Sequence, residues 1–268
     1  MPDDVQSLSG GSMRVCLLAS GSKGNSFFVE AGGTRLLIDA GLSAGETLRR
    51  LAAIGVEAVD LDAVLVSHEH TDHIRGAGAL ARKLKIPVIA SYPTRKAAEH
   101  CFKKIEVVEF EAGYAFCYKD ISIDPFPITH DACDPVGFVL ETREGTVGFA
   151  TDLGIATRLV MDKLKGCRFL VLESNHDEAM LLNGPYPWHL KQRIKSRHGH
   201  LSNNDSAALL NEVLHPGLEG IFLAHLSEVN NDPQLAYAAA ADLLESRNVC
   251  SPRLILGEQH YSSEVLTL

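Results

Sequence analysis

The stretch "DAVLVSHEHTDH", Asp62 to His73, decides how the rest of the chain is read. Its first half, Asp62 to Ser67, is a short apolar, β-branched run of the kind that forms a buried strand. Its second half, Ser67 to His73, packs three histidines, a glutamate and an aspartate into seven residues. His68 and His70 stand two apart after the strand, so both imidazoles can face the same way. Asp72 and His73 follow in the turn and can face a second position. Four ligand-type side chains exceed what one tetrahedral site takes from so short a segment. Two adjacent metals are therefore the natural reading, with further ligands from elsewhere. The plainer alternative is a polar solvated loop. Three histidines and an aspartate directly after a buried strand weigh against it.

Strands and helices are expected on both sides of this segment. Arg14 to Ser20 reads as a strand and Gly21 to Asn25 as a turn. "SFFVEA" and "TRLLIDA" flank Gly32 and Gly33 and predict a hairpin. "AGETLRRLAAIG" predicts a short amphipathic helix closed by Gly55. "GALARKLK" is helical, and "IPVIAS" is the next strand. Residues 104–111, 119–124, 136–150 and 167–174 read as strands, several antiparallel, with a helix over 155–164. A helical region over 187–214 is broken by "HGHLSNND". "EGIFLAH" (219–225) is a strand, "PQLAYAAAADLLESR" (233–247) a helix with Pro233 in its first turn, and "PRLILG" a last strand. Strict β-α-β alternation is absent. "DAVLVSH" and "EGIFLAH" both end in histidine. That pairing suggests two half-domains that offer ligands from strand ends to a common cleft.

Composition narrows the class. The 268 residues suffice for one large domain or two small ones, with a core that needs no disulfide staples. The net charge of −9 argues against coating nucleic acid through a global positive field. It leaves room for a nuclease, whose metal ligands add acidic residues locally. No pair of the six cysteines has CxxC spacing, so they read as mostly buried thiols in a reducing, cytoplasmic setting. No apolar run reaches the roughly 18 residues of a membrane span. "MPDDVQSLSGGS" lacks the basic and apolar regions of a secretory signal. Residues 1–12 are expected to be a disordered leader or cloning remnant, and 13–268 the folded domain.

"HEHTDH" resembles the HxHxDH signature of the metallo-β-lactamase-fold hydrolases. "LASGSKGNSFFVE", "LLIDAGLS", "ITHDACDPVGF", "FATDLG", "LESNHD", "GPYPWHLKQRI", "GHLSN" and "LAHLSEVNND" extend the likeness over nearly the whole chain from Met13. They are similar to the YycJ/WalJ (VicX) branch, bacterial DNA nucleases of that fold. The resemblance implies an α/β fold: a four-layer αβ/βα sandwich of two mixed sheets flanked by helices. It implies that His68, His70 and His130 hold one divalent ion, that Asp72, His73 and His225 hold another, and that Asp152 bridges them. It also implies that Asp39 supports the site from behind the ligands, although a plain turn aspartate before Gly41 is the alternative. Mixed imidazole and carboxylate ligands suit zinc and manganese alike.

Such a pair of metals lowers the pKa of a bridging water, which is then the nucleophile, so no serine or cysteine nucleophile is required. His200 in "GHLSN" is the candidate acid for the leaving alkoxide, and Glu173 in "LESNHD" the partner that orients it. This pair resembles the Glu and His of tRNA 3′-processing nucleases. Catalysis is thus assigned to Asp72, Glu173 and His200, and substrate contact to Lys23, Asn25, Asn175 and His176. Glu69 and Thr71 read as spacers. "WHLKQRIKSRHGH" puts Trp188 beside Lys191, Arg193, Lys195 and Arg197. It reads either as a nucleic-acid contact or as a solvated basic face with Trp188 packed inward. The expected activity is a dinuclear 5′→3′ exonuclease acting on DNA, with a role in repair or processing. A glyoxalase-type thioesterase, a cyclic phosphodiesterase or an RNA-processing nuclease is the alternative.

Overall fold

The computed structural model describes residues 12–267, so the expected leader lies outside the described residues except for Ser12. The first half opens with an antiparallel meander of β1 (Arg14–Ala19), β2 (Ser26–Ala31) and β3 (Thr34–Ile38). Helix α1 (Ala44–Ala53) leads to β4 (Ala63–Leu65). Helices α2 (Thr71–Ile74) and α3 (Ala77–Leu84) lead to β5 (Val88–Ser91), and α4 (Tyr92–Ala97) leads towards β6 (Val107–Phe110). From β3 to β6 the strands pair in parallel. The second half repeats the scheme. Antiparallel β7 (Phe116–Tyr118), β8 (Ile121–Pro127), β9 (Val136–Glu141) and β10 (Thr146–Ala150) come first. Helix α5 (Arg158–Leu164) precedes β11 (Phe169–Glu173). Helices α6 (Glu178–Asn183), α7 (Trp188–Ile194) and α8 (Asn203–Val213) precede β12 (Gly220–Ala224), and α9 (Pro233–Arg247) precedes β13 (Arg253–Leu256). From β10 to β13 the pairing is again parallel. Strand β14 (Leu266–Thr267) returns to pair with β1.

The two seven-stranded sheets run β14-β1-β2-β3-β4-β5-β6 and β13-β12-β11-β10-β9-β8-β7. Their facing sides form one apolar layer, in which Phe27 of β2 meets Phe149 of β10 at 5.9 Å and Phe222 of β12 at 5.6 Å between ring centroids. The outer face of the first sheet packs on α1 and α3, and that of the second on α5, α8 and α9. The result is the four-layer αβ/βα sandwich expected. Helix starts follow local chemistry. Ser202 and Asp205 form a reciprocal capping box on α8, and Asp232 caps α9 just before Pro233.

The repeat is real, but its register differs from the expectation. The meander β1-β2-β3 matches β8-β9-β10, so β4 corresponds to β11 and not to β12. "DAVLVSH" and "EGIFLAH" share a histidine ending without occupying equivalent strands. The better sequence match is Asp39-Ala40-Gly41 after β3 and Asp152-Leu153-Gly154 after β10. Both aspartates are left-handed, with φ of 62° and 60°. Both glycines let another backbone close in. A Cβ on Gly41 would lie 1.6 Å from the Asp72 carbonyl oxygen, and one on Gly154 would lie 2.1 Å from that of Arg197. Two smaller expectations also change. Residues 136–150 form two strands around a turn in which Thr142 Oγ1 donates to the Gly145 carbonyl. Only Cys16 and Cys167 are buried, because Cys117 lies on an edge strand and Cys133 in a loop.

Candidate metal centre

Strands β1, β3, β4, β8, β10, β11 and β12 all run towards one edge of the sandwich, where parallel strands leave a crevice beyond their carboxyl ends. The two sheets meet there. Ser20, after β1, accepts the His225 backbone N–H through Oγ at 2.6 Å. His68, His70, Asp72 and His73 follow β4, His130 follows β8, Asp152 follows β10, Glu173 ends β11 and His225 follows β12.

The donors converge in overlapping groups whose ligand atoms lie within 4.8 Å of one another. His68, His70 and His130 form one, and Asp72, His73 and His225 another. Asp152 joins His68 and His73 in a third, so it stands between the first two. Asp152 Oδ2 lies 3.3 Å from His73 Nε2, and its Oδ1 lies 3.7 Å from His130 Nε2. His68 Nε2, His225 Nε2 and Asp152 Oδ2 are buried without a hydrogen-bond partner. Buried polar atoms without partners are costly, and these are the lone-pair positions a cation would use. The residues present therefore fit a divalent metal ion.

The imidazoles are held from behind. Asp39, fully buried, takes the Ser67 N–H on Oδ1 at 2.8 Å. Its Oδ2 lies 2.7 Å from both Ser67 Oγ and His73 Nδ1. With Nδ1 donating to that carboxylate, His73 turns Nε2 into the cleft. Glu173 does the same for two histidines at once. Its Oε1 lies 2.9 Å from His225 Nδ1 and 2.7 Å from His200 Nδ1. Its Oε2 accepts the Leu153 and Leu201 N–H groups at 2.6 and 3.3 Å.

The electrostatics follow from this crowding. Burial pushes His68 well below the ordinary histidine range, and neighbouring His73 pushes it further. Burial lowers His130 too. Burial would also lower His73, but the carboxylates of Asp152, Asp39 and Asp72 outweigh it and hold His73 well above that range. For His225 burial is outweighed by Asp152, Asp72 and Glu173. Burial would raise Asp152, but His225 and His73 hold it far below the usual carboxylate range. The acidic cluster thus favours positive charge here, and protons on His73 and His225 are one source of it. A metal ion supplies the same charge.

A beta-lactamase superfamily domain matches residues 34–217. Exodeoxyribonuclease YycJ of Bacillus anthracis is 38% identical over 240 residues, covering 88% of this chain and 90% of the relative. Exodeoxyribonuclease WalJ of Streptococcus pneumoniae is 38% identical over 236 residues, covering 86% and 88%. The chain belongs to the YycJ/WalJ family. Among solved structures, the metallo-β-lactamase-fold protein YhfI of Bacillus subtilis superposes with a TM-score of 0.74 at 18% identity, covering 96% of this chain and all of that one (100%).

In this YycJ/WalJ chain the remaining expected residues divide. Asn175 lines a cavity beside His200. Lys23 is exposed at the end of the β1–β2 loop but is paired with Glu228. Asn25 is not open to substrate. Its Oδ1 accepts the Gly21 N–H at 2.8 Å, and its Nδ2 donates to Asp72 Oδ2 at 3.2 Å. The amide pins the β1–β2 loop to the metal loop. His176 is buried as well, and burial first, against the pull of Glu173, lowers its pKa to about 4. Trp188 is 61% exposed, so it does not pack inward. Lys191 spends its ammonium on the Leu182 and Gly184 carbonyls, and Arg193 pairs with Asp131.

Three contributors were missed. Ser67 links Asp39 to His68 and His73. Glu69 is more than a spacer, because its Oε1 accepts the Cys133 N–H at 2.8 Å and ties the loop after His130 to the metal loop. The Asp131 carbonyl lies 3.2 Å from His70 Nε2. Ser67 and Glu69 lie inside the motif and Asp131 directly follows His130, so proximity to ligands was the available signal.

Proposed function

We propose that the chain is a dinuclear metal-dependent phosphodiesterase that shortens DNA as a 5′→3′ exonuclease, with residues 13–268 as its catalytic domain. The observation that carries this is the Glu173–His200 pair at 2.7 Å beside the seven converging donors. The names of its exodeoxyribonuclease relatives support DNA as substrate, and six free cysteines support a reducing, cytoplasmic setting.

In this reading His68, His70 and His130 hold one ion, Asp72, His73 and His225 hold the other, and Asp152 serves both. When bound, two divalent ions (zinc or manganese) supply an acidified water and positive charge against a phosphoryl oxygen. The protein does the rest. Asp39 and Glu173 fix the tautomers of His73 and His225 so that Nε2 faces the cleft. Glu173 turns His200 the same way, so its Nε2 can give a proton to the departing alkoxide. Asn25 keeps Asp72 in place.

The test is purified protein with added manganese and 5′-labelled single- and double-stranded DNA, with Asp72→Ala as the blank. Metal-dependent release of nucleotides from the 5′ end is expected. Release equal to that of the blank on both DNAs refutes the reading. Turnover of a thioester without DNA cleavage would point instead to a glyoxalase-type hydrolase, which needs no Glu173–His200 pair.

A further inference from the structure

A cavity of about 270 Å³ opens beside His200, walled by one face of α7 and by the Asn175 and Gly199 segments. Leu190 and Ile194, four apart, share that face, and Tyr186 precedes them by one turn's spacing. All three are half-buried. The exposed Trp188 does not line it. Arg193 stands at the edge with its Nε 2.7 Å from Asp131 Oδ2, so its charge is already matched. Asn175 is 5% exposed, and its Nδ2 donates to the His225 carbonyl at 2.8 Å. Its Oδ1 therefore points the other way and has no donor among the described residues.

We infer that this cavity holds the terminal nucleoside of the strand being shortened, a step that rests on the phosphodiesterase reading above. Both kinds of polar partner line the cavity. The Arg193 charge is matched by Asp131, Asn175 offers an acceptor, and Ser22, Ser227, His198 and His200 offer donors, so the polar edges of a nucleoside find partners beside the apolar wall. The apolar wall and the Tyr186 ring suit the flat face of a base. Size decides the number. A volume of about 270 Å³ lies at the foot of the roughly 300–1,000 Å³ range of small-ligand sites, which suits a single nucleoside. Position decides the role. The group nearest the proton donor is the leaving alcohol. The oxygen of a water joins phosphorus, the P–O3′ bond breaks, and O3′ of the terminal nucleoside takes its proton from His200. The products are the terminal nucleoside with a free 3′-OH, which is a mononucleotide where the strand began with a 5′-phosphate, and a strand one residue shorter that starts with a 5′-phosphate.

The experiment compares wild-type protein on two oligonucleotides that differ only in an abasic (tetrahydrofuran) residue at the 5′ end. Loss of one stacked base should lower kcat/KM for the first cleavage by about 5- to 150-fold. Leu190→Trp, which fills the cavity, should reduce intact DNA to the abasic level and abolish the difference. Equal kcat/KM for the two substrates with wild-type protein overturns the nucleoside site and leaves the nuclease reading standing. Cleavage of neither refutes the nuclease reading itself. The wild-type comparison decides even if Leu190→Trp fails to fold.

Discussion

Glu173→Gln probes a side chain that ties four parts of the fold together. The carboxylate accepts four N–H groups: two imidazoles on Oε1 and two backbone amides on Oε2. Burial would raise its pKa, but His200 and His225 hold it below the usual carboxylate range, so it is ionised in the fold. A glutamine of the same shape offers one acceptor oxygen and one NH₂. Whichever way the amide is turned, two donors face a donor. Each buried donor that loses its acceptor costs roughly 1–3 kcal/mol, so the metal-free protein should lose about 2–6 kcal/mol. Where the amide NH₂ takes the Oε1 position, His225 also loses its fixed tautomer, which should weaken metal binding about 10- to 100-fold. Guanidinium unfolding of metal-stripped protein reads the first effect, and manganese titration reads the second. Stability within about 1 kcal/mol of wild type together with unchanged metal affinity would refute the ionised four-acceptor role.

Metal binding near neutral pH should release about two protons per chain, one each from His73 and His225, because the acidic cluster keeps both protonated without a cation. Calorimetry in buffers of different ionisation enthalpy reads this, and release of none would contradict the charge balance described. His176 should make the protein acid-sensitive. Its pKa is about 6.5 unfolded and about 4 folded, so its contribution is full above 6.5 and is lost as pH falls towards 4, by about 3 kcal/mol in all. His176→Gln should flatten that part of a stability-versus-pH curve, and an unchanged slope would show that His176 is not the group titrating. Gly41→Ala should displace the backbone at Asp72, because the added methyl would stand 1.6 Å from that carbonyl. The expected outcome is loss of bound metal measured by atomic emission, and full metal occupancy would refute it.

The sequence was most legible where one short motif sets geometry. The HxHxDH run, the two hairpin strands around Gly32 and the helix over 233–247 all stand where the pattern puts them. Short helices were missed. Helix α2 has four residues and α4 and α6 six each, too few for an apolar period to show. Strand β7 sits at a sheet edge with half-exposed residues, so it carries no buried run. His225 was hinted at by the histidine ending of "EGIFLAH", but the distant donors His130 and Asp152 became readable only through family likeness, because a lone residue after a strand has no spacing to judge. Contacts on loops were the least legible. Asn25 faces inward because of a partner far along the chain, His176 is buried with no side-chain partner among the described residues, and the aromatic beside the cleft is Tyr186, two residues before the more conspicuous tryptophan.

The aromatic layer between the sheets has a reach beyond stability. Asp39 and His73 hang from one sheet, and Asp152, Glu173 and His225 from the other. Facing sheets keep a gap of about 10 Å, set by the side chains that fill it. Here Phe27 wedges against Phe149 and Phe222 and sets that gap. The layer thus acts as a caliper whose jaws carry the ligands, with His73 Nε2 and Asp152 Oδ2 held 3.3 Å apart across the seam. Trimming one of these rings lets the jaws close without touching a ligand. The spacing of these candidate donors is in that sense written into the oily interior as well as into the histidines themselves.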